Sequence, residues 1–145
     1  MPEYIEKCGQ YYVNHRWLGG TLTNWNTIAK SIKELERIEK LLGDEEQIQS
    51  FTMKEMLSFQ RKKDSMLLAF QGIRDMKTIP DLVVALDANK ERIAVQEAQK
   101  LNIPVIAILD SNSDPDGITY PVPGNDDAIK SIRLYLSLFV DAVMW

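Results

Sequence analysis

Two short, uninterrupted apolar runs limit the fold most: "DLVVALD" over 81–87 and "PVIAILD" over 104–110. A strand with one wet face alternates apolar and polar residues, whereas a strand covered on both faces reads as a continuous run. Between them, "ANKERIAVQEAQKLN" (88–102) sets Ile93, Ala94, Glu97, Ala98 and Leu101 near one side of a helix. "TYPV" (119–122) reads as a short third strand, moved toward an edge by Pro121. A last helix follows in "GNDDAIKSIRLYLSLFVDAV". Asn125 suits its cap, Asp126 and Asp127 its positive end, and Ile129, Ile132, Leu136, Phe139 and Val143 its core face. Strand–helix–strand–turn–strand–helix predicts a parallel α/β sheet with right-handed crossovers.

"YYVN" (11–14) reads as one more strand, giving about four in all. A doubly wound sheet usually has five or six. The chain also opens on "PEYIEKCG", which looks like the tail of a helix. The predicted sheet is therefore incomplete, as if it began in mid-motif.

The middle of the chain follows a different pattern. After the sharp connection "RWLGGTLTN", Trp25, Ile28, Ile32, Leu35, Ile38 and Leu42 recur at helical steps. Gly43 fits the end of that helix. Beyond the polar loop "GDEEQIQS", Thr52 and Glu55 have the spacing of a capping box. They start a second helix running to about Gln71, with Met53, Met56, Leu57, Leu67 and Phe70 on its apolar side. Two helices of about 30 Å, narrow in their apolar stripes and charged elsewhere, predict an antiparallel, coiled-coil-like hairpin. The domain reading is a single α/β domain over 1–145, with 24–72 inserted as a protruding arm.

Composition narrows the function. The longest apolar runs are strand-sized, so no membrane span is expected. The N-terminus shows neither a signal nor a transit pattern, which leads to the expectation of a protein made where it works or processed earlier. Cys8 is the only cysteine and His15 the only histidine. An internal disulfide is thus impossible, a reducing compartment is expected, and nothing pairs the thiol with its one available base. The net charge of −4 argues against a generic nucleic-acid binder, but the charge is uneven. Residues 1–77 hold 12 Lys and Arg against 11 Asp and Glu, and residues 78–145 hold 5 against 10. Polyanion contact belongs in the first half.

"DSNSDPDG" (110–117) matches the first half of a calcium loop and then departs from it. Pro115 stands where the loop needs glycine, and Pro121 where it needs a bidentate glutamate. A structural turn explains the run better. A structural magnesium near Asp110, Asp114 and Asp116 is the alternative, and no other cofactor is expected. Asp87 and Asp110 end strands where doubly wound folds bind ligands. However, the chain has no G-x-G-x-x-G, P-loop or G-x-S-x-G motif. A small-ligand or nucleotide-binding domain is therefore the second reading. For RNA, the candidates are Lys30, Lys33, Arg37 and Lys40 on the first arm helix and Arg61, Lys62 and Lys63 on the second. Arg74 and Lys77 lie at the re-entry to the domain. Arg16 and Trp17 stand beside two glycines, where backbone, guanidinium and indole could meet RNA.

"YYVNHRWLGGTLTNWNTIAKSIKELE", "GIRDMKTIPDLVVALDANKERIAVQEAQKLNIPVIAILDSNSDPDGI" and "PVPGNDDAIKSIRLYLSLFVDAV" together cover most of residues 9–143. These stretches resemble the bacterial and organellar type of small-subunit ribosomal protein two. The resemblance implies a flavodoxin-like sheet with a coiled-coil hairpin and a non-catalytic role in translation. It implies a place between head and body of the small ribosomal subunit, bound to ribosomal RNA and neighbouring ribosomal proteins. In bacteria it further implies help in docking the largest small-subunit protein. The family's usual N-terminal part has no counterpart here, so a separate chain supplying it, or a fragment, is expected. A mitochondrial ribosome is the favoured setting, and a bacterial cytoplasm the alternative.

Overall fold

A computed structural model describes residues 2–145. Its sheet has three parallel strands in the order β1 (Val83–Ala85), β2 (Val105–Leu109), β3 (Tyr120–Pro123). Val83 pairs with Val105 and Ala85 with Ala107, and on the other side Ile106 pairs with Tyr120 and Leu109 with Pro123. Central β2 is the most buried strand, which is why its sequence carries no polar residue. Helix α5 (Arg92–Lys100) turns Ala94, Val95 and Ala98 toward the sheet. Val95 and Ala98 pack with Ala85, Val105, Ala107 and Leu109 into one core that also takes in Leu22.

The remaining helices are α1 (Pro2–Lys7), α2 (Trp25–Gly43), α3 (Glu45–Ile48), α4 (Met53–Phe70) and α6 (Ile129–Met144). Among the described residues none is long and apolar enough to cross a membrane. Helices α2 and α4 pack on each other. A second core forms at their base from Ile28, Ile32, Leu35, Phe70, Ile73 and Met76. Thr52 and Glu55 make the expected reciprocal cap of α4.

The structure corrects four expectations. Residues 11–14 form no strand, so the sheet has three strands and not four. The segment instead binds the turn that follows α4, where the Tyr12 amide donates to the Gly72 carbonyl at 3.0 Å. The contact is so close that a Cβ on residue 72 would lie 2.0 Å from the Tyr12 carbonyl oxygen. The polar loop after Gly43 contains the short helix α3, started by Asp44, whose carboxylate accepts from the Glu46 and Gln47 amides. Asn125 caps a turn and not α6: its Oδ1 accepts from the amides of Asp127 and Ala128, and α6 begins after them. Finally, the dry seam is one-sided. Helix α2 buries Ile28, Ile32, Leu35 and Ile38, but α4 buries only Phe70, and Met53 and Leu57 stand exposed. Gln60, Lys63 and Asp64 occupy the α4 positions where an unbroken seam would need apolar side chains.

Candidate nucleic-acid interface

Lys30, Lys33, Arg37 and Lys40 follow one another at steps of three and four, offset by half a turn from Ile28, Ile32, Leu35 and Ile38. Burying the apolar stripe therefore forces all four cations into solvent, where the structure has them. The same packing exposes Arg61 and Lys62 on α4 and leaves Lys63 half-buried.

Glu34 links the two helices. Its carboxylate accepts from Arg37 Nε at 2.9 Å on its own helix and from Lys62 Nζ at 3.1 Å on α4. Hydrogen bonds from Arg37 and then Lys62 hold its carboxyl down to about 2. Arg74 is likewise engaged, forming a two-point ion pair with Glu39. Of the eleven expected contact residues, Arg37, Lys62 and Arg74 thus begin with carboxylate partners. Lys30, Lys33, Lys40, Arg61, Lys63, Lys77 and Arg16 have no ion pair among the described residues. The cations on the two helices lie along one body, whereas Arg16 stands apart on the loop that leads into it.

That loop is built around a buried acid. Glu97 of α5, only 5% exposed, accepts five hydrogen bonds from residues 17–23. Oε1 takes the Trp17 indole N–H at 3.2 Å and the Gly20 amide at 2.7 Å. Oε2 takes the amides of Leu22 and Thr23 at 2.9 and 3.0 Å and the Thr23 hydroxyl at 3.1 Å. Gly20 reaches its place with φ +90°, a conformation that favours glycine. Burial works against ionisation, but the amides of Thr23, Gly20 and Leu22 and the indole outweigh it, so the Glu97 carboxyl lies below its usual range. The Trp17 indole N–H and the Gly20 amide are therefore engaged by Glu97, while Arg16 and Gly19 are exposed. The sequence set Glu97 among the core-facing residues of its helix but gave no sign of what it holds.

A second acidic group forms at the carboxyl ends of the strands. Oxygens of Asp110, Asp126 and Asp127 lie within 4.8 Å of one another. These, rather than Asp110 with Asp114 and Asp116, are the carboxylates that could share a divalent cation. Asp114 instead accepts the Asp116 amide at 2.9 Å in a turn, as the proline-containing run suggested. Desolvation and the neighbouring Asp87, Asp127 and Asp110 charges push the buried Asp126 carboxyl up. Partial burial also opposes Asp87, yet Lys90 at 2.8 Å and the Lys90 and Asn89 amides hold its carboxyl below the usual range.

The model of the family described as ribosomal protein S2 matches residues 1–145. The small ribosomal subunit protein uS2 of Rickettsia canadensis is 61% identical over 144 residues, which is 99% of this chain and 49% of that relative. The corresponding proteins of Rickettsia massiliae and Rickettsia prowazekii are 59% and 61% identical over the same shares. The chain spans about half the length of these curated relatives, and all three are bacterial, which gives the expected mitochondrial setting no support. A match along its whole length, together with about 60% identity to these relatives, makes this chain a member of the ribosomal protein S2 family.

Proposed function

We propose that the chain is a non-catalytic structural component of the small ribosomal subunit. It binds ribosomal RNA through the wet faces of α2 and α4 and through Arg16, and meets neighbouring ribosomal proteins between head and body. One observation carries this reading: about 60% identity to bacterial uS2 proteins over 99% of the chain. The exposed cations of the paired helices supply the chemistry. Lysine and arginine there neutralise phosphates, so affinity is salt-dependent and follows RNA shape more than base sequence. The sheet is part of a flavodoxin-like fold, completed by a polypeptide equivalent to the rest of the relatives' length, and the arm works as a helical hairpin. A bacterial cytoplasm fits the named relatives.

The test is sedimentation of native lysate, with the chain expected in the small-subunit fraction. Arg61, Lys62 and Lys63 replaced together by Gln should lower its recovery there and flatten the dependence of RNA binding on salt, with a slope smaller by roughly two to three. Unchanged recovery would remove that cluster from the interface. Saturable nucleotide binding by the purified chain, with no particle association, would favour the small-ligand reading. Against that reading stands the Lys90 ion pair, which occupies Asp87 at its strand end.

A further inference from the structure

We propose that the cleft at the root of the arm is a binding site for one unpaired ribonucleotide, with its base stacked on Trp25 and its phosphate neutralised by Lys77. The proposal rests on the RNA-binding reading above and narrows it to a defined pocket. The cleft is open to solvent and offers about 560 Å³ between the start of α2, with Asn24, Trp25 and Asn26, and the returning segment of Lys77, Thr78 and Ile79.

Its chemistry is selective. No carboxylate lines the cleft, although the chain carries 21 Asp and Glu. The Trp25 indole N–H donates to the Lys77 carbonyl at 3.4 Å, which ties the two walls together and fixes the ring. The ring also packs against the core at the base of the arm. A fixed, half-buried indole is a stacking platform for any base. Asn26 is exposed with no side-chain hydrogen-bond partner among the described residues, and Asn24 engages only its Oδ1, with the Thr27 hydroxyl at 2.8 Å. Carboxamides offer both donors and acceptors, which suits the hydrogen-bonding edge of a base. Lys77 is exposed and has no carboxylate partner among the described residues. A bare anion would leave the ring and the carboxamides without a role, and an apolar ligand would strand the polar groups. A paired base is hidden in its duplex, so the occupant is a bulged or single-stranded nucleotide.

Titrating the full chain with a single-stranded hexaribonucleotide, while following the indole N–H signals by NMR, tests the site. The Trp25 signal should move and the Trp17 signal, held by Glu97, should stay. The same hexamer annealed to its complement, and adenosine monophosphate alone, should each bind at least tenfold more weakly. Asn26→Asp is the decisive variant. It places a charge that the start of a helix favours, so folding is retained, yet it puts a carboxylate into the cleft. Its affinity for the hexamer should fall roughly tenfold, the scale of one stacking or phosphate contact. Lys77→Gln should reduce the salt slope by about one. An unmoved Trp25 signal, or Asn26→Asp binding like the parent, overturns the proposal. Adenosine monophosphate binding as tightly as the hexamer would overturn the assignment to RNA. Particle sedimentation separates this failure from failure of the broader reading. A parent chain that enters small-subunit particles but shows no hexamer binding at Trp25 sinks only the cleft. A parent chain that binds the hexamer at Trp25 but never enters particles sinks only the ribosomal reading.

Discussion

Glu97→Gln keeps the size of the side chain but turns one acceptor oxygen into an NH₂ group facing at least two donors. Loss of about 2–4 kcal/mol of unfolding free energy is expected, measured by urea denaturation. The pH dependence should differ as well. The Glu97 carboxyl lies below its usual range when folded, so its contribution is complete above the ordinary glutamate value and is lost as pH falls through the folded one. The gap between parent and variant should therefore be constant near pH 7 and close as the solution is acidified below about pH 4. Gly72→Ala provides a steric counterpart. Its Cβ would meet the Tyr12 carbonyl at 2.0 Å, and a backbone atom cannot swing aside. A cost of about 2 kcal/mol or more is expected from thermal unfolding. Neither role was legible beforehand. Glu97 could be assigned to the inner side of its helix from spacing alone, but its donors lie more than seventy residues away along the chain. Local pattern does not register such a pairing.

At the scale of elements, capping and periodicity were readable and burial was not. Thr52 and Glu55 announced the start of α4, and the reciprocal cap is present. Thr52→Ala should lower stability by about 1 kcal/mol. The seam read from Met53, Met56, Leu57, Leu67 and Phe70 is dry only toward its base, because a stripe records which side chains are apolar and not whether a partner covers them. Phe70→Ala should thus cost about 3–5 kcal/mol. Met53→Gln with Leu57→Gln should stay within about 1 kcal/mol. Equal losses in both variants would restore a continuous seam. The strand expected at residues 11–14 failed for a related reason. β-rich residues support an extended backbone, but Gly72 offers the segment a single hydrogen bond in place of a ladder.

The chain spans about half of its curated relatives, and the sheet stops at β1, whose Val84 is 40% exposed. A shortfall in strands was visible from the sequence, which offered about four runs for a sheet that normally has five or six, and the structure keeps three of them. Which edge is open was not visible, because strand order is a property of the pairing. If a polypeptide equivalent to the rest of the relatives completes the fold, the amide of Val84 gains an acceptor. Hydrogen exchange at Val84 should then slow by at least tenfold on adding that polypeptide, while exchange in central β2 changes little. The opposite edge is closed to such growth. Gly124 donates to Leu109 on the β2 side, so alternation turns residues 121 and 123 outward, and both are prolines without an N–H. With only one competent side, stray copies of the chain could join back to back in twos but could not add a third, and the route to an extended fibre ends at the pair.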